Sequence, residues 1–218
     1  TGEENICMIA GTWSINEYLR KEPVTDGSVL MNSLFCLPEY YLIEESSPTS
    51  AGNNEWFIRQ LLPEIAAAAK NEGRSVYDEM NRWAESFRPE DFVPIFLPFL
   101  TASNVDPRAR AASHTRRHML RAVYEGIAFS HRYHLEKLLK SRGGRQGRVR
   151  LAGGAARSAV WAQMFADVMN MPVETVDASE TGALGCAIAA AAAVGRRRSP
   201  HVQNIRRRVS PAGRRSRL

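Results

Sequence analysis

The first part of the chain alternates short apolar runs with small polar turns. Asn5 to Ala10 is apolar, Gly11-Thr12 interrupts it, and Trp13 to Leu19 continues with strand-forming residues. Two such runs joined by a short turn predict a two-stranded hairpin. Leu34 to Glu44 is apolar but broken by proline, which predicts an edge strand, and the small polar residues from Ser46 to Asn54 predict a loop.

Three helices are predicted downstream from apolar residues spaced three and four apart. The first includes Trp56, and Pro63 either kinks it or starts a second helix. Tyr77 to Phe87 is another amphipathic segment. A long helix is capped by Thr115 and ends near Ser141. The apolar face of this long helix includes Leu120, Val123, Ile127, His131 and Leu138.

A strand, two glycines and a helix start follow one another after residue 148. Val149 to Ala152 predicts a buried strand, Gly153-Gly154 a turn, and Ser158 the N-cap of a helix. Such a junction lets a phosphate or nucleoside approach the main chain without meeting a Cβ atom. A double glycine is also common in ordinary turns, so nucleotide binding and a plain turn both stay open on these residues.

The segment that follows carries a more specific pattern. Pro172 to Val176 predicts a short strand, and ETGALG at Glu180 to Gly185 opens a helix of very small residues that ends near Val194. The combined pattern, GGAxxSxxWxQMxADVxxxPVETxxxxETGALGCAIAA, spans most of Leu151 to Ala193. It resembles the adenosine-side motif of the FGGY carbohydrate kinases.

The resemblance implies both a fold and an activity. The fold is α/β, an actin-like ATPase domain of the ribonuclease H-like type, with a mixed sheet flanked by helices. The activity is ATP-dependent transfer of a phosphoryl group to a sugar hydroxyl, with ATP and Mg²⁺ as cofactors. The chain is most similar in look to kinases of ketopentoses, L-xylulose in particular.

The same resemblance implies a set of binding residues. Gly11-Thr12 matches the GT pair of the family's second phosphate motif, and Ala51-Gly52 before Trp56 matches a segment that borders the nucleotide. The nucleotide- and phosphate-binding residues implied in this way are Gly11, Thr12, Gly52, Gly153, Gly154 and Ser158. The first two would meet the terminal phosphates. Around Gly52 the run SPTSAG is equally consistent with a plain loop.

Charge divides the chain near residue 195. Residues 196–218 contain nine Arg and no acidic residue, so this tail carries +9 of the formal charge, and residues 1–195 carry −3, which together give the net +6. We expect residues 1–195 to form the kinase C-terminal domain and residues 196–218 to be a disordered tail, because the tail has few apolar residues. The tail lacks aromatic residues for base stacking, so nucleic acid is not the favoured partner.

Cysteine spacing and hydropathy indicate the cellular compartment of the protein. Cys7, Cys36 and Cys186 are widely spaced, and their number is odd, which favours neither a disulfide framework nor a zinc site. The longest apolar run, Ala183 to Val194, is too short to span a bilayer. We expect a soluble cytoplasmic protein without a membrane partner.

Two histidine pairs have spacings that metal sites use. His114 and His118 are four residues apart, and His131 and His134 are three apart. No cysteine lies near them, and the Glu of an HExxH motif is absent. Packing or solvated histidines are therefore favoured over metal ligands.

The catalytic residue that the resemblance implies lies elsewhere. In the family, an Asp upstream of the GT motif accepts the sugar proton, whereas upstream of Gly11 this sequence offers only Glu3 and Glu4. The resemblance therefore places that Asp upstream of Thr1, and no residue of this chain is assigned a catalytic role.

The expected partners follow from the same resemblance. We expect the sugar to be bound mainly by an N-terminal half absent from the chain, ATP or ADP to bind weakly, and the chain alone to be inactive. An exposed interdomain surface predicts self-association into a homo-oligomer. The alternative is a non-catalytic module, either a nucleotide-binding remnant or a basic nucleic-acid binder.

Overall fold

The computed structural model describes residues 5–87, 96, 115–143, 147–176, 181–194 and 205–212. The strands in these residues are β1 (Asn5–Ala10), β2 (Ser14–Arg20), β3 (Met31–Leu34), β4 (Tyr41–Ser47), β5 (Arg148–Gly153), β6 (Val173–Val176) and β7 (Ile205–Val209). The helices are α1 (Gly52–Leu61), α2 (Pro63–Asn71), α3 (Val76–Glu85), α4 (Arg116–Ser141), α5 (Gly154–Arg157), α6 (Ala159–Met169) and α7 (Thr181–Ala193).

The strands form one mixed sheet in the order β3-β4-β2-β1-β5-β6-β7. β1 pairs parallel with β5, and β5 pairs parallel with β6. All other neighbouring strands in the sheet pair antiparallel. The parallel register pairs Ala10 with Gly153, the last residues of β1 and β5. Because parallel strands end at the same sheet edge, the residues that follow β1 and β5 begin side by side.

The hairpin predicted from the sequence is confirmed as β1 and β2. Alternate residues of β1 are buried, and Ile6, Met8 and Ala10 are fully inaccessible to solvent. This period-two pattern places them on one face of the sheet, in the same hydrophobic core as α4 and α6. The core therefore lies between the central strands and these two helices.

Contacts between α4 and α6 fix the helical layer. The rings of Tyr124 and Trp161 stack with centroids 4.4 Å apart, and the Trp161 indole donates a hydrogen bond of 3.1 Å to the Tyr124 carbonyl oxygen. The predicted caps are confirmed, since the side-chain oxygens of Thr115 and Ser158 accept hydrogen bonds from the first turns of α4 and α6. The helix predicted over Tyr77 to Phe87 is observed as α3.

The structure corrects two expectations for residues 31–54. The run from Leu34 to Glu44 contains parts of two strands: Leu34 ends the edge strand β3, and Tyr41 begins β4, which lies inside the sheet between β2 and β3. The expected loop is shorter, because β4 continues to Ser47 and α1 starts at Gly52. Apolar patterning missed the end of β4 because its residues are polar yet pair with β2 along their whole length.

Proline resolves the alternative left open for the first helical segment. Pro63 is the first residue of α2, and Leu62 separates α1 from α2. Proline is favoured at this position because the first-turn amide of a helix has no acceptor within the helix. The segment therefore contains two helices instead of one kinked helix.

Part of the arginine-rich tail differs from the disordered segment expected from the sequence. Ile205–Val209 forms β7, which pairs antiparallel with β6. The Glu174 carboxylate of β6, 2% exposed, lies 3.4 Å from Arg150 Nε and 3.2 Å from Arg208 Nε. Paired charges of this kind offset the cost of burying a carboxylate. The domain boundary at residue 195 stays a prediction.

The elements predicted after residue 171 are also observed. The predicted strand at Pro172 to Val176 and the helix ending near Val194 are confirmed as β6 and α7. Among the described residues, no helix is long and apolar enough to cross a membrane.

Candidate functional site

The turn between β1 and β2 carries the predicted phosphate-binding pair. The Gly11 amide donates a hydrogen bond of 3.2 Å to the Trp13 carbonyl oxygen, and the Thr12 side chain is exposed at the tip. The segment before α1 lies against this turn. The amide of Ala51 donates to the Gly11 carbonyl oxygen at 2.7 Å, and the amide of Ser50 donates to the Thr12 carbonyl oxygen at 3.0 Å.

Gly153 joins the second predicted motif to this turn. Its φ is +81°, and a Cβ atom at this position would lie 2.7 Å from the Ala10 carbonyl oxygen and 3.2 Å from the Gly11 nitrogen. Cβ atoms do not approach backbone atoms so closely in proteins, and residues other than glycine avoid this φ. Only glycine lets β5 turn away at this point while staying paired with β1.

Gly52 and Gly154 border the same place. A Cβ atom on Gly52 would lie 3.4 Å from the carbonyl oxygen and 3.5 Å from the Cγ2 atom of Thr12. A Cβ atom on Gly154 would lie 3.9 Å from the Ala10 carbonyl oxygen. Four glycines from three distant parts of the sequence therefore meet at the carboxyl ends of β1 and β5, where open α/β sheets commonly bind ligands.

Ser158 occupies a different position from the glycines. Its hydroxyl donates a hydrogen bond of 2.7 Å to Asn81 Oδ1 and accepts one of 3.2 Å from the Trp161 amide. The residue is 7% exposed. The structure therefore gives Ser158 a capping role that fixes the start of α6 and links it to α3. Its direct contact with a nucleotide stays a prediction.

A buried polar group lies behind the turn, and no sequence motif marks its function. His131 of α4 is fully buried, with Nδ1 2.7 Å from Asn16 Oδ1 and Nε2 3.2 Å from Ser50 Oγ. Burial, with a smaller effect from the charge of His134, lowers the pKa of His131 to about 3. The helical periodicity did place His131 on the buried face, and a histidine there needs hydrogen-bond partners.

A second histidine on α4 pairs with an acidic residue. His134 Nδ1 donates to Glu45 Oε2 at 3.1 Å, and Lys137 Nζ lies 3.3 Å from the same oxygen. Burial acts to raise the pKa of the Glu45 carboxyl, but the hydrogen bonds and charges of His134 and Lys137 outweigh it and hold the pKa below its usual range. This group connects α4 to β4.

The three described histidines of α4 each contact other side chains of the protein. The ring of His118 contacts that of Phe87 edge-on at 5.0 Å, and His131 and His134 have the polar partners described above. His114 is outside the described residues. Within the part of the chain that the structure describes, no group of three or more His, Cys, Asp or Glu side chains is arranged to hold a metal ion.

The catalytic residue implied by the family resemblance lies outside the described residues. The resemblance places the proton-accepting Asp upstream of Thr1, and the described residues begin at Asn5. Thr1 itself and the two acidic residues that precede the GT turn, Glu3 and Glu4, lie outside the described residues. The position of the catalytic Asp upstream of Thr1 therefore stays a prediction.

Comparisons with known proteins identify relatives of the chain. Residues 6–194 match the C-terminal domain of the FGGY family of carbohydrate kinases. The chain is 33% identical over 216 residues to a probable L-xylulose kinase of Haemophilus influenzae, which covers 95% of the chain and 42% of that relative. It is 33% identical over 201 residues to the L-xylulose/3-keto-L-gulonate kinase of Escherichia coli, covering 88% of the chain and 38% of the relative.

The fold is shared with solved structures at lower identity. The crystal structure of xylulose kinase from Rhodospirillum rubrum superimposes with a TM-score of 0.74 at 21% identity, over 97% of this chain and 43% of the other. The fold is thus the actin-like ATPase fold that the sequence resemblance implied. The chain spans about two-fifths of the length of these relatives. By its sequence match over residues 6–194, the chain belongs to the FGGY family of carbohydrate kinases, of which it contains the C-terminal domain.

Proposed function

We propose that this chain is the nucleotide-binding half of an ATP-dependent kinase that phosphorylates a sugar hydroxyl, with a ketopentose such as L-xylulose as substrate. The substrate class rests on two relatives at 33% identity, one named a probable L-xylulose kinase and the other an L-xylulose/3-keto-L-gulonate kinase. The observation that carries the nucleotide site is the pairing of Ala10 with Gly153. This pairing brings the GT turn and the double-glycine turn together at one sheet edge.

Each residue of the site has a distinct part in the proposed function. The exposed Thr12 hydroxyl donates to the terminal phosphate, and Gly11 leaves room for the phosphate oxygens beside the turn. Gly153 and Gly154 let the nucleoside approach the main chain, and Gly52 keeps the α1 start close to Thr12. Ser158 acts indirectly, by holding the start of α6.

Positioning supplies most of the catalysis in phosphoryl transfer. When bound, Mg-ATP supplies the phosphoryl group that passes to the sugar hydroxyl. The described residues leave room for the nucleotide, because an added Cβ atom on Gly11 or Gly154 would have no neighbour closer than 3.9 Å. In the proposed arrangement, the sugar pocket and the carboxylate that accepts the sugar proton belong to a partner half. The chain alone then binds ATP weakly and does not phosphorylate sugars.

Isothermal titration calorimetry with ATP tests the nucleotide site. We expect Gly154→Asp to weaken ATP binding by at least about tenfold, which corresponds to about 1.4 kcal/mol. The added Cβ atom fits, since its nearest neighbour is 3.9 Å away, so the effect comes from placing a carboxylate beside the phosphates. ATP that binds no more tightly than sulfate, or a Gly154→Asp variant with unchanged affinity, would contradict the assignment.

Gly27→Asp is the matched control. Gly27 follows the end of β2 opposite the turn, has a φ of +75°, and has no atom within 4 Å of an added Cβ. Aspartate tolerates positive φ better than most residues. This variant adds the same charge away from the glycines and is expected to bind ATP as the unaltered chain does.

A mixing assay tests the kinase activity itself. Ketopentose-dependent ADP release is measured for the purified chain alone and with an added N-terminal half of a related kinase. We expect activity only in the mixture. Turnover by the chain alone would contradict the need for a partner half. ATP binding without turnover in any mixture would favour the nucleotide-binding remnant instead.

A further inference from the structure

Three buried side chains connect the sheet to the segment that holds the GT turn. Asn16 lies on β2, His131 on α4, and Ser50 immediately before α1, and the three are 0%, 0% and 1% exposed. His131 lies between the other two, bonded to Asn16 through Nδ1 and to Ser50 through Nε2. The three residues are far apart in sequence, so tertiary packing alone brings them together.

The hydrogen-bonding pattern fixes where the protons lie. The Asn16 amide nitrogen lies 3.3 Å from the Glu45 carbonyl oxygen and 3.5 Å from Ser14 Oγ. The amide nitrogen donates in these contacts, which orients Asn16 Oδ1 toward His131. Because Asn16 Oδ1 can only accept a hydrogen bond, His131 must carry its proton on Nδ1. Nε2 is then the acceptor, and the Ser50 hydroxyl donates to it. Full burial keeps the ring neutral.

Ser50 passes this restraint to the turn. Its amide donates to the Thr12 carbonyl oxygen at 3.0 Å, and the amide of the next residue, Ala51, donates to the Gly11 carbonyl oxygen at 2.7 Å. The Ser50 carbonyl oxygen accepts a hydrogen bond of 2.8 Å from the Asn53 side chain in the first turn of α1. Ser50 is therefore bonded to α4, to α1 and to the turn at once.

We propose that His131 is a positioning residue that, as a neutral Nδ1-protonated ring, tethers Ser50 to the sheet and thereby fixes the Gly11-Thr12 turn for nucleotide binding. The nucleotide part of this inference rests on the proposed function. A packing role alone would require only a side chain of similar volume. The tether requires an acceptor at the Nε2 position and a donor on residue 50.

Amide hydrogen exchange of residues 47–54 in the full chain tests the tether directly. His131→Asn keeps a donor near the Nδ1 position but loses the acceptor for Ser50, whereas His131→Gln can place its amide oxygen near the Nε2 position. We expect exchange at Ser50 and Ala51 to rise at least about tenfold in His131→Asn and much less in His131→Gln. Equal exchange in the two variants would overturn the inference.

His134→Asn is the matched control on the same helix. His134 is also buried, at 7% exposure, but it pairs with Glu45 and not with the Ser50 segment. We expect it to lower the overall stability while leaving exchange at residues 50 and 51 unchanged relative to the rest of the chain. A rise there as large as in His131→Asn would show a general loss of packing and would overturn the tether.

Calorimetric titration with ATP tests the effect on the nucleotide site. We expect His131→Asn and Ser50→Ala each to weaken ATP binding about tenfold, and the double variant to weaken it no further, because both changes remove the same hydrogen bond. Additive losses would overturn the shared tether. An unaltered chain that binds no ATP would contradict the proposed function, while the exchange experiment would still decide whether His131 holds the segment.

Discussion

Replacing Gly153 by alanine tests the contact that joins the two glycine motifs. The residue has φ +81° and ψ −163°, and an added Cβ atom would lie 2.7 Å from the carbonyl oxygen and 2.9 Å from the carbonyl carbon of Ala10. Both neighbours are backbone atoms in a paired strand, so they cannot rotate away as a flexible side chain would. Either β1 and β5 separate at their ends, or residue 153 changes its backbone conformation.

When residue 153 keeps its backbone conformation and the ends of β1 and β5 separate, two costs add. Holding alanine in a sparsely populated backbone conformation costs about 1–3 kcal/mol. Moving packed atoms aside to admit an extra methyl group costs about 1–3 kcal/mol more. We therefore expect Gly153→Ala to lower the free energy of unfolding by roughly 2–6 kcal/mol, which is a large share of the roughly 5–15 kcal/mol typical of a domain.

Gly154→Ala is the control, because the two glycines are adjacent but differ in surroundings. Gly154 has no positive φ, and an added Cβ atom there would lie 3.9 Å from its nearest neighbour, the Ala10 carbonyl oxygen. Urea unfolding followed by far-UV circular dichroism measures both variants. We expect Gly154→Ala to stay within about 1 kcal/mol of the unaltered chain. Equal stability of the two variants would refute the close approach of β5 to Ala10, and with it the geometry of the site.

Two further predictions concern stability away from the glycines. Burial, together with the Glu44 carboxylate across the strand pair, raises the pKa of Glu17 from 4.5 to about 7. The folded state then binds the proton more tightly than the unfolded state, so stability falls as the pH rises from about 4.5 to 7. Glu17→Gln should be more stable than the unaltered chain by at most about 3 kcal/mol at pH 8 and equally stable at pH 4, as measured by urea unfolding; an equal difference at both pH values would contradict the cause given. Ser158→Ala removes the cap of α6 and the bond to Asn81, and should lower the unfolding free energy by about 1–2 kcal/mol; Ser158→Thr keeps the hydroxyl, and a loss as large as that of alanine would argue against capping.

Local chemistry explains what the sequence predicted well. The hairpin at β1 and β2, the cap at Thr115 and the strand leading into Gly153 each depend on residues that are close in the chain. Turn glycines, capping oxygens and apolar periodicity act over a few residues, so they can be read directly from the letters. The specific pattern from residue 153 onward also identified the family.

The same reasoning failed where local and tertiary preferences differ. The polar end of β4 looked like a loop because pairing with β2 is not visible in its own residues. β7 lies in an arginine-rich segment that composition alone marks as disordered, and its Arg208 finds a partner in Glu174, 34 residues away in the sequence.

Some features of the candidate site were predictable from the sequence, and others depend on the tertiary structure. The sequence by itself determined which glycines are candidates and that His131 lies on the buried face of a long helix. Only the tertiary structure decided that Gly153 lies against Ala10, that the Ser158 hydroxyl is used in capping, and that His131 contacts Ser50. These contacts depend on strand register and on side chains that approach from different elements. No property of a single segment encodes them, because their energy exists only when both partners are in place.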